Sequence, residues 1–482
     1  MSNKYDNVII GLEVHIQLTT LKTKLFCGCS NDYRGAGPNT HVCPICLGLP
    51  GSLPVINKRT LEFATRLALT LDCTINESFW FYRKNYFYAD LPKGFQISQY
   101  NKAGGRAFAD GGKVTIKING VKKEIKLNRI HLEEDPARLV HLGSIKTSPY
   151  TLVDYNRSGV ALIEIVTEPV IRSPEEAREF LNQLKLLIQY TEISDLDLEG
   201  SLRVDANISI KGHARSEVKN INSFKDVERA LSYEIIRQYN LLKRGREIIQ
   251  ETRHWSGKNT IPLRTKEFEK DYRYFPEQDL VPIDLDQKFI ENVKYKLPEM
   301  PNERSIRIHD EYKLSERDAD ILVSNKNIAD FFEKGVKVEK SFGPEDYKDY
   351  YNWLLGDISA WLNDNNLKIK ETKLKPKQLV DLIKFIREGK ITSKIAKMFI
   401  DDMMEGISIV KIIKNSGKKR IADEAKIVKI VEEVIKENPK IVEDCKKNPK
   451  ALQALIGKCM RKTKGQLDPR KTKDIMLKFI KK

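Results

Sequence analysis

Hydrophobic periodicity changes character once along this chain, and that change limits the folds open to it. Up to about residue 290, apolar and polar residues alternate in short runs broken by a few helical stretches; beyond about 297 only helical spacing remains. Residues 8–18 place Leu12, Val14, Ile16 and Leu18 on one face of a strand and Glu13, His15 and Gln17 on the other. Asn119-Gly120 joins alternating runs at 114–118 and 121–127 as the two-residue turn of a hairpin. Residues 201–210 alternate again. Helical spacing at 58–71, 174–190 (Ser173 as cap, Pro174 in the first turn) and 224–242 completes this part. Strands and helices without a regular βαβ rhythm predict an α+β domain around an antiparallel sheet, residues 1–294.

After it, the pattern predicts an all-α helical domain, 295–410, with helices at 315–324, 346–362 and 377–404, the last broken at Gly389. A small α-helical tail domain, 411–482, carries the apolar stripe Ile427, Val431, Val434 and Ile435. Three domains suit 482 residues at roughly 150 per domain. No apolar run approaches the ~18 residues that span a bilayer. Residues 1–6 are polar with no signal-peptide core, so a cytoplasmic protein with no membrane partner is expected.

Cysteine placement adds a metal centre. Four of the seven cysteines form Cys27-Gly28-Cys29 and, thirteen residues on, Cys43-Pro44-Ile45-Cys46. Two such pairs supply four thiolates to one tetrahedral zinc, and a full sulfur set leaves no open catalytic position. His41 could replace one sulfur. Cys73, Cys445 and Cys459 are scattered core residues, and the second pair argues against redox chemistry.

Polar strand faces are usually only solvated, but several here share one chemistry. Glu13 and His15, two apart, project to the same side; Arg129, His131 and Glu133 share a face of a strand that ends in Glu133-Glu134-Asp135; Arg203 and Asp205 share a face, as do Glu217 and Lys219. Carboxylates, an imidazole and cations suit a divalent metal carrying phosphates. The aromatic and basic block at 80–88, with Lys84, Tyr86 and Tyr88, could stack a base or a nucleoside, or be buried core. A phosphate loop, a GxSxG elbow and a kinase loop set are all missing.

These residues fall in motifs that together resemble one family. The motifs are Gly11-Leu12-Glu13-Val14-His15, Arg83-Lys84-Asn85-Tyr86-Phe87-Tyr88, His131-Leu132-Glu133-Glu134-Asp135, Asp154-Tyr155-Asn156-Arg157 and Ile163-Glu164-Ile165-Val166-Thr167-Glu168-Pro169. They continue with Gly200-Ser201-Leu202-Arg203-Val204-Asp205-Ala206-Asn207, Glu217-Val218-Lys219-Asn220-Ile221-Asn222, Gln250-Glu251-Thr252-Arg253 and Asp271-Tyr272-Arg273-Tyr274-Phe275-Pro276. In order along almost the whole chain, they resemble the B subunits of the aspartyl/glutamyl-tRNA amidotransferases, glutamine-hydrolysing ligases.

The resemblance implies ATP-dependent phosphorylation of the side-chain carboxylate of mischarged Asp-tRNA(Asn) or Glu-tRNA(Gln), then amidation by ammonia. An amidase A subunit would supply the ammonia, and a small C subunit would complete a heterotrimer. It implies Glu13, His15, Glu133, Glu134, Asp205, Glu217 and Lys219 as catalytic residues, with magnesium on His15, Glu13, Glu133 and Glu134. ATP or substrate would meet Lys84, Tyr86, Tyr88, Arg157, Arg203, Asn207, Asn220, Asn222 and Arg273. Some family members lack the four cysteines, so zinc on Cys27, Cys29, Cys43 and Cys46 would be structural. No gap between motifs leaves room for the synthetase-like insertion of the two-subunit, glutamate-only relatives, which favours the three-subunit enzyme. The chain holds no amidase pattern of its own.

Net charge completes the reading. The chain carries +17, yet residues 411–482 hold 22 Lys and Arg against 9 Asp and Glu, leaving the other 410 residues at only +4. The segment matches the family's tail domain, which binds the tRNA body, and Lys458, Arg461, Lys462, Lys464, Arg470 and Lys471 are its expected contacts. A non-catalytic zinc-containing RNA-binding protein is the competing expectation; it leaves the acids on regular strands unexplained.

Overall fold

A computed structural model of the chain describes residues 5 and 7–480 apart from 103, 142, 144–147, 222, 266–271, 417–423, 448–450, 464–465 and 468. The alternating Val8–Gln17 segment becomes the central strand of a ten-stranded sheet. It pairs antiparallel with Leu202–Ile210 on one side and Ala161–Thr167 on the other. Beyond Leu202–Ile210 come Ser216–Ile221, Glu251–Trp255 and Thr260–Thr265; beyond Ala161–Thr167 come Val121–Glu134, Ala109–Asp110 and Thr74–Ile75. Ser216–Ile221 and Glu251–Trp255 pair parallel, the one departure from the antiparallel expectation among the described pairs.

The hairpin is present, with Lys113–Ile118 against Val121–Glu134 and positive φ at Asn119 (50°) and Gly120 (82°), as a turn matching strand twist requires. Its second strand runs on to Glu134, so residues read separately from sequence lie on one element. Val8, Ile10, Leu12, Val14 and Ile16 are all at most 1% exposed in the core. Each such aliphatic side chain gains ~1.5–3 kcal/mol by full burial. Pro174–Thr191 and Phe224–Lys243 help cover that core. Ser173 and Ser223 cap these helices by accepting from the backbone N–H groups of Glu176 and Asp226. The opposite sheet face is left to the polar residues.

The chain divides into two compact units, Met1–Met300 and Pro301–Lys482. The second is helical. Pro344–Trp353 passes through a π-helical turn, Leu354–Ile358, into Ser359–Asp364. Gly389 (φ 69°) follows Pro376–Arg387. Two short helices come next, Ser393–Lys397 and Ile400–Met404, where one was expected; Thr392 caps the first. Near the C-terminus, Ile427, Val431 and Val434 pack with Leu455, Cys459 and Met476 in a separate small core. No described helix is long and apolar enough to cross a membrane.

Candidate functional site

Sheet register turns scattered polar residues into rows. His15 lies opposite Arg203 on one neighbouring strand and Glu164 on the other, and Glu164 lies opposite His131. One step along, Glu13 faces Asp205, and Val166 faces Arg129. One step the other way, Gln17 and Glu133 flank Leu162. Side chains directly opposite across strands share a face, so the rows stack into one charged surface. It floors a cleft of about 420 Å³, lined by Glu13, Lys84, Gln99, Tyr100, Asn101, Arg129, His131, Glu133, Glu164, Arg215, Glu217, Lys219, Gln250, Thr252, Tyr272 and Tyr274.

Two lining residues, Glu133 and Glu164, meet His15, which is not itself on the lining: ligand atoms of the three lie within 4.8 Å of one another, and all three side chains are buried. His15 Nε2 stands 3.5 Å and His131 Nδ1 3.7 Å from the Glu164 carboxylate, and an Arg129 guanidinium nitrogen 3.5 Å from it. Glu133 accepts from Ser98 Oγ (2.5 Å) and Gln96 Nε2 (3.2 Å). Asn207 Nδ2 donates to Glu13 (2.9 Å), Thr252 Oγ1 donates to Glu217 (3.0 Å), and Lys219 Nζ lies 3.8 Å from Asp205 and 3.6 Å from Glu217.

Electrostatics divides the acids. Burial, then Glu164, Glu217 and Asp205, raises the Glu13 carboxyl above its ordinary value, with His15 pulling the other way. Burial works to raise Glu164 too, but the hydrogen bond from His15 and the Arg129 cation overcome it and its carboxyl is lowered. Burial pulls His131 down to about 3, so this imidazole is neutral at pH 7. Desolvation opposes the Lys84 charge, yet Tyr274, Glu133 and Tyr86 raise it above the usual lysine range.

His15 Nδ1, His131 Nε2 and Asp205 Oδ1 are buried without a hydrogen-bond partner. A buried polar atom left unpaired is costly, so three of them around carboxylates mark a place built for a ligand. Carboxylate oxygens with an imidazole fit a hard divalent ion.

The other expected site residues distribute unevenly. Glu134 is not brought to the cleft: neighbouring strand residues face opposite ways, and it pairs with Lys93 (2.5 Å) while accepting the Ile97 backbone N–H (2.8 Å). Arg157 donates to the Pro136 and Ala137 carbonyls and lies 3.5 Å from Asp135, outside the cleft lining. Arg203 is exposed, across from His15. Tyr86 is not among the cleft-lining residues but packs edge-on against one of them, Tyr272. Phe81 and Tyr82 are core, whereas Phe87 and Tyr88 are 82% and 57% exposed, so the aromatic block is partly core and partly surface. Arg273 lies over the Phe87 ring (5.9 Å). Asn222 and the side chain of Asn220 lie outside the described residues. So do Lys464 and the Arg470 side chain; Lys458, Arg461 and Lys462 sit on Leu452–Lys462, and Lys471 on Pro469–Ile480.

Sequence reasoning did not single out Glu164, although it lies in a quoted motif. Its strand is buried at nearly every position and shows no alternation. Arg129 and His131 share a face with Glu133, and that was the available signal for them.

The sulfurs of Cys27, Cys29, Cys43 and Cys46 also lie within 4.8 Å of one another, and all four thiols are free of disulfides. Tetrahedral zinc, with zinc–sulfur bonds of about 2.3 Å, requires sulfurs ~3.8 Å apart, so the group fits. Cys43 precedes the turn Pro44–Leu47 and donates its backbone N–H to Cys46 Sγ (3.2 Å), and Gly48 closes the knuckle in the left-handed region (φ 65°). His41 stays out; its Nδ1 contacts the Asp32 carbonyl instead.

Comparison with known proteins agrees with this geometry. Residues 8–291 match the GatB/GatE catalytic domain, and residues 330–480 match the GatB domain. The B subunit of the aspartyl/glutamyl-tRNA(Asn/Gln) amidotransferase of Sulfurisphaera tokodaii is 45% identical over 98% of this chain and 99% of its own. The B subunit of the same description from Sulfolobus acidocaldarius is 46% identical over 96% of this chain and 97% of its own. That of Caldanaerobacter subterraneus subsp. tengcongensis is 45% identical over 99% of this chain and 100% of its own.

Proposed function

The chain belongs to the family of amidotransferase B subunits, and from that premise we propose that its charged cleft activates the side-chain carboxylate of an aspartyl or glutamyl group carried on the wrong tRNA. It is an ATP-using ligase, one component of a multi-subunit amidotransferase acting on tRNA. A carboxylate resists ammonia because oxide is a poor leaving group. Transfer of the ATP γ-phosphoryl group to a carboxylate oxygen gives an acyl phosphate and ADP; ammonia then attacks the acyl carbon and phosphate departs.

His15, Glu133 and Glu164 would hold magnesium, which supplies charge neutralisation on the phosphates when bound. Lys84, Arg129 and Lys219 line the cleft and offset charge that develops as phosphate is transferred and released. Glu13, whose carboxyl is raised, takes the proton that ammonia sheds on forming the amide. Asp205 and Glu217 hold Lys219 over the site. The Gln17 and Asp135 side chains, hydrogen-bonded at 2.6 Å, fix the end of the sheet face.

Around this site we place an amidase A subunit as ammonia source, a small C subunit, structural zinc on the four cysteines, and the cytoplasm as compartment. Residues 1–294 act as the catalytic cradle, 295–410 as a helical spacer and 411–482 as the tRNA handle. A non-catalytic RNA-binding role leaves the converging acids without purpose. The observation that carries the reading is the convergence of His15 on Glu133 and Glu164 of the cleft lining, among buried, unpartnered polar atoms. The test is ADP release by the assembled complex on mischarged against correctly charged tRNA, with Glu164→Gln beside it. Release only on mischarged tRNA, lost in Glu164→Gln, is expected; equal release on both tRNAs contradicts it.

A further inference from the structure

Lys24 is 0% exposed, an unusual position for a lysine. Its backbone N–H donates to the Cys29 carbonyl (3.0 Å), in the first cysteine pair. Its Nζ donates to the His41 carbonyl (2.8 Å), just ahead of the second pair, and to Cys46 Sγ (3.7 Å). One residue thus ties both halves of the cysteine cluster together. Among the described residues, no carboxylate lies within ion-pair distance of Lys24. Lys93, which is also near the knuckle, has Glu134.

A buried ammonium without a counter-charge is strongly unfavourable. Four thiolates around a divalent zinc carry a net charge of about −2, and that is the negative charge this ammonium faces. The Lys24 stem runs past Gly159 (φ 82°), where a Cβ would meet Cys46 Cβ at 3.3 Å, Lys24 Cδ at 3.6 Å and Glu134 Oε2 at 4.0 Å.

We propose that Lys24 is the built-in counter-cation of the tetrathiolate zinc centre, holding Cys46 by an N–H···S bond and clamping the two cysteine loops. It is a positioning residue, and the proposal rests on the reading of the four cysteines as a zinc site. Its role is to slow zinc loss. Partners of this kind beyond the ligands typically change metal affinity by about 10–100-fold.

The experiment measures zinc content of the full-length chain, then zinc transfer to excess 4-(2-pyridylazo)resorcinol. Lys24→Met and Lys24→Gln should release zinc at least about tenfold faster than the unsubstituted chain. Lys24→Arg, which keeps the charge, should lie between, and Lys22→Met, at an exposed neighbour, should match the unsubstituted chain. Thermal midpoints add a reading that packing alone would not move. Lys24→Met should melt lower than the unsubstituted chain with zinc, and at the same temperature or higher once zinc is stripped. Loss of the alkyl stem as packing would lower both midpoints and overturn the proposal. An unsubstituted chain without stoichiometric zinc refutes the zinc reading itself; bound zinc with unchanged release from Lys24→Met refutes the role of Lys24 alone. If Lys24→Met and Lys24→Gln do not fold with zinc, folding of Lys24→Arg upholds the requirement for charge, and its failure overturns it.

Discussion

At the cleft, Glu133 and Glu164 on its lining and Asp205 beside Lys219 are 3%, 8% and 3% exposed, and each answers to named partners. In the tail, Arg461, Lys462, Lys471 and Lys473 lie exposed on helices around a small apolar core. Both regions concentrate charge, but desolvation separates their uses. A buried charge must be held by geometry, and held charges act on developing charge without reorganising. An exposed charge is screened over roughly 8–10 Å at moderate salt, so it attracts a polyanion broadly and salt weakens it.

If burial makes the difference, removing one buried charge should cost most. Glu234 is 0% exposed and takes Arg237 at 2.6 Å, Arg253 at 3.5 Å and a hydrogen bond from Thr260 Oγ1 at 2.9 Å. Glu234→Gln should destabilise the N-terminal unit by ~3–5 kcal/mol in denaturant unfolding, because two guanidinium groups are left short of charge. Burial works to raise this carboxyl, and Arg237 overcomes it, so it is lowered in the folded state. Its stabilisation is therefore present above the ordinary carboxylate range and is lost as pH falls toward the lower folded value, and Glu234→Gln should flatten that acid-side loss. A cost below about 1 kcal/mol would erase the contrast with surface pairs.

Next in size is Asp205→Asn, which releases Lys219 from one of its two carboxylates. Turnover of the assembled complex should fall about 10²-fold, with tRNA affinity within about twofold. Equal losses in both would show that this acid serves binding. The smallest effect should come from Lys462→Ala. Lys462 already pairs with Glu433 (2.9 Å) and Glu437 (2.7 Å), and such exposed pairs contribute about 0–1 kcal/mol. Arg461→Ala, beside it on the same groove, should lower the salt slope of tRNA binding by roughly 0.7–0.9. A larger loss from Lys462→Ala would mean that it leaves its glutamates for phosphate.

The comparison also explains what could be read without a structure. Alternation alone puts Glu13 with His15 and Arg129 with Glu133 on shared faces, because period 2 is local. Register is not local. Val8–Gln17 sits between Ala161–Thr167 and Leu202–Ile210, strands about 150 to 200 positions away, and only that pairing brings Glu164 to His15. Glu164 was hard to see because its neighbours Leu162, Ile163 and Ile165 are all buried and mask the alternation. Glu134 shows the converse: adjacency to Glu133 suggested a shared role, while the pleat sends it to Lys93. The cysteine cluster was legible because its four thiols lie within twenty residues, close enough for local turns to gather them. Lys24 carried no signal, since burial of a lysine cannot be read from its spacing.

The most direct measurement is a paired one on the assembled complex with mischarged tRNA: ADP release at saturating tRNA and salt-dependent tRNA affinity, in Glu133→Gln and in a chain lacking residues 411–482. Glu133→Gln should lose about 10²–10³-fold in ADP release with tRNA affinity and salt slope unchanged. The truncated chain should bind tRNA more weakly with a flatter slope, yet keep its turnover at saturation. Turnover retained in Glu133→Gln, or an unaltered salt slope in the truncated chain, would contradict the division between a cleft that reacts and a tail that holds.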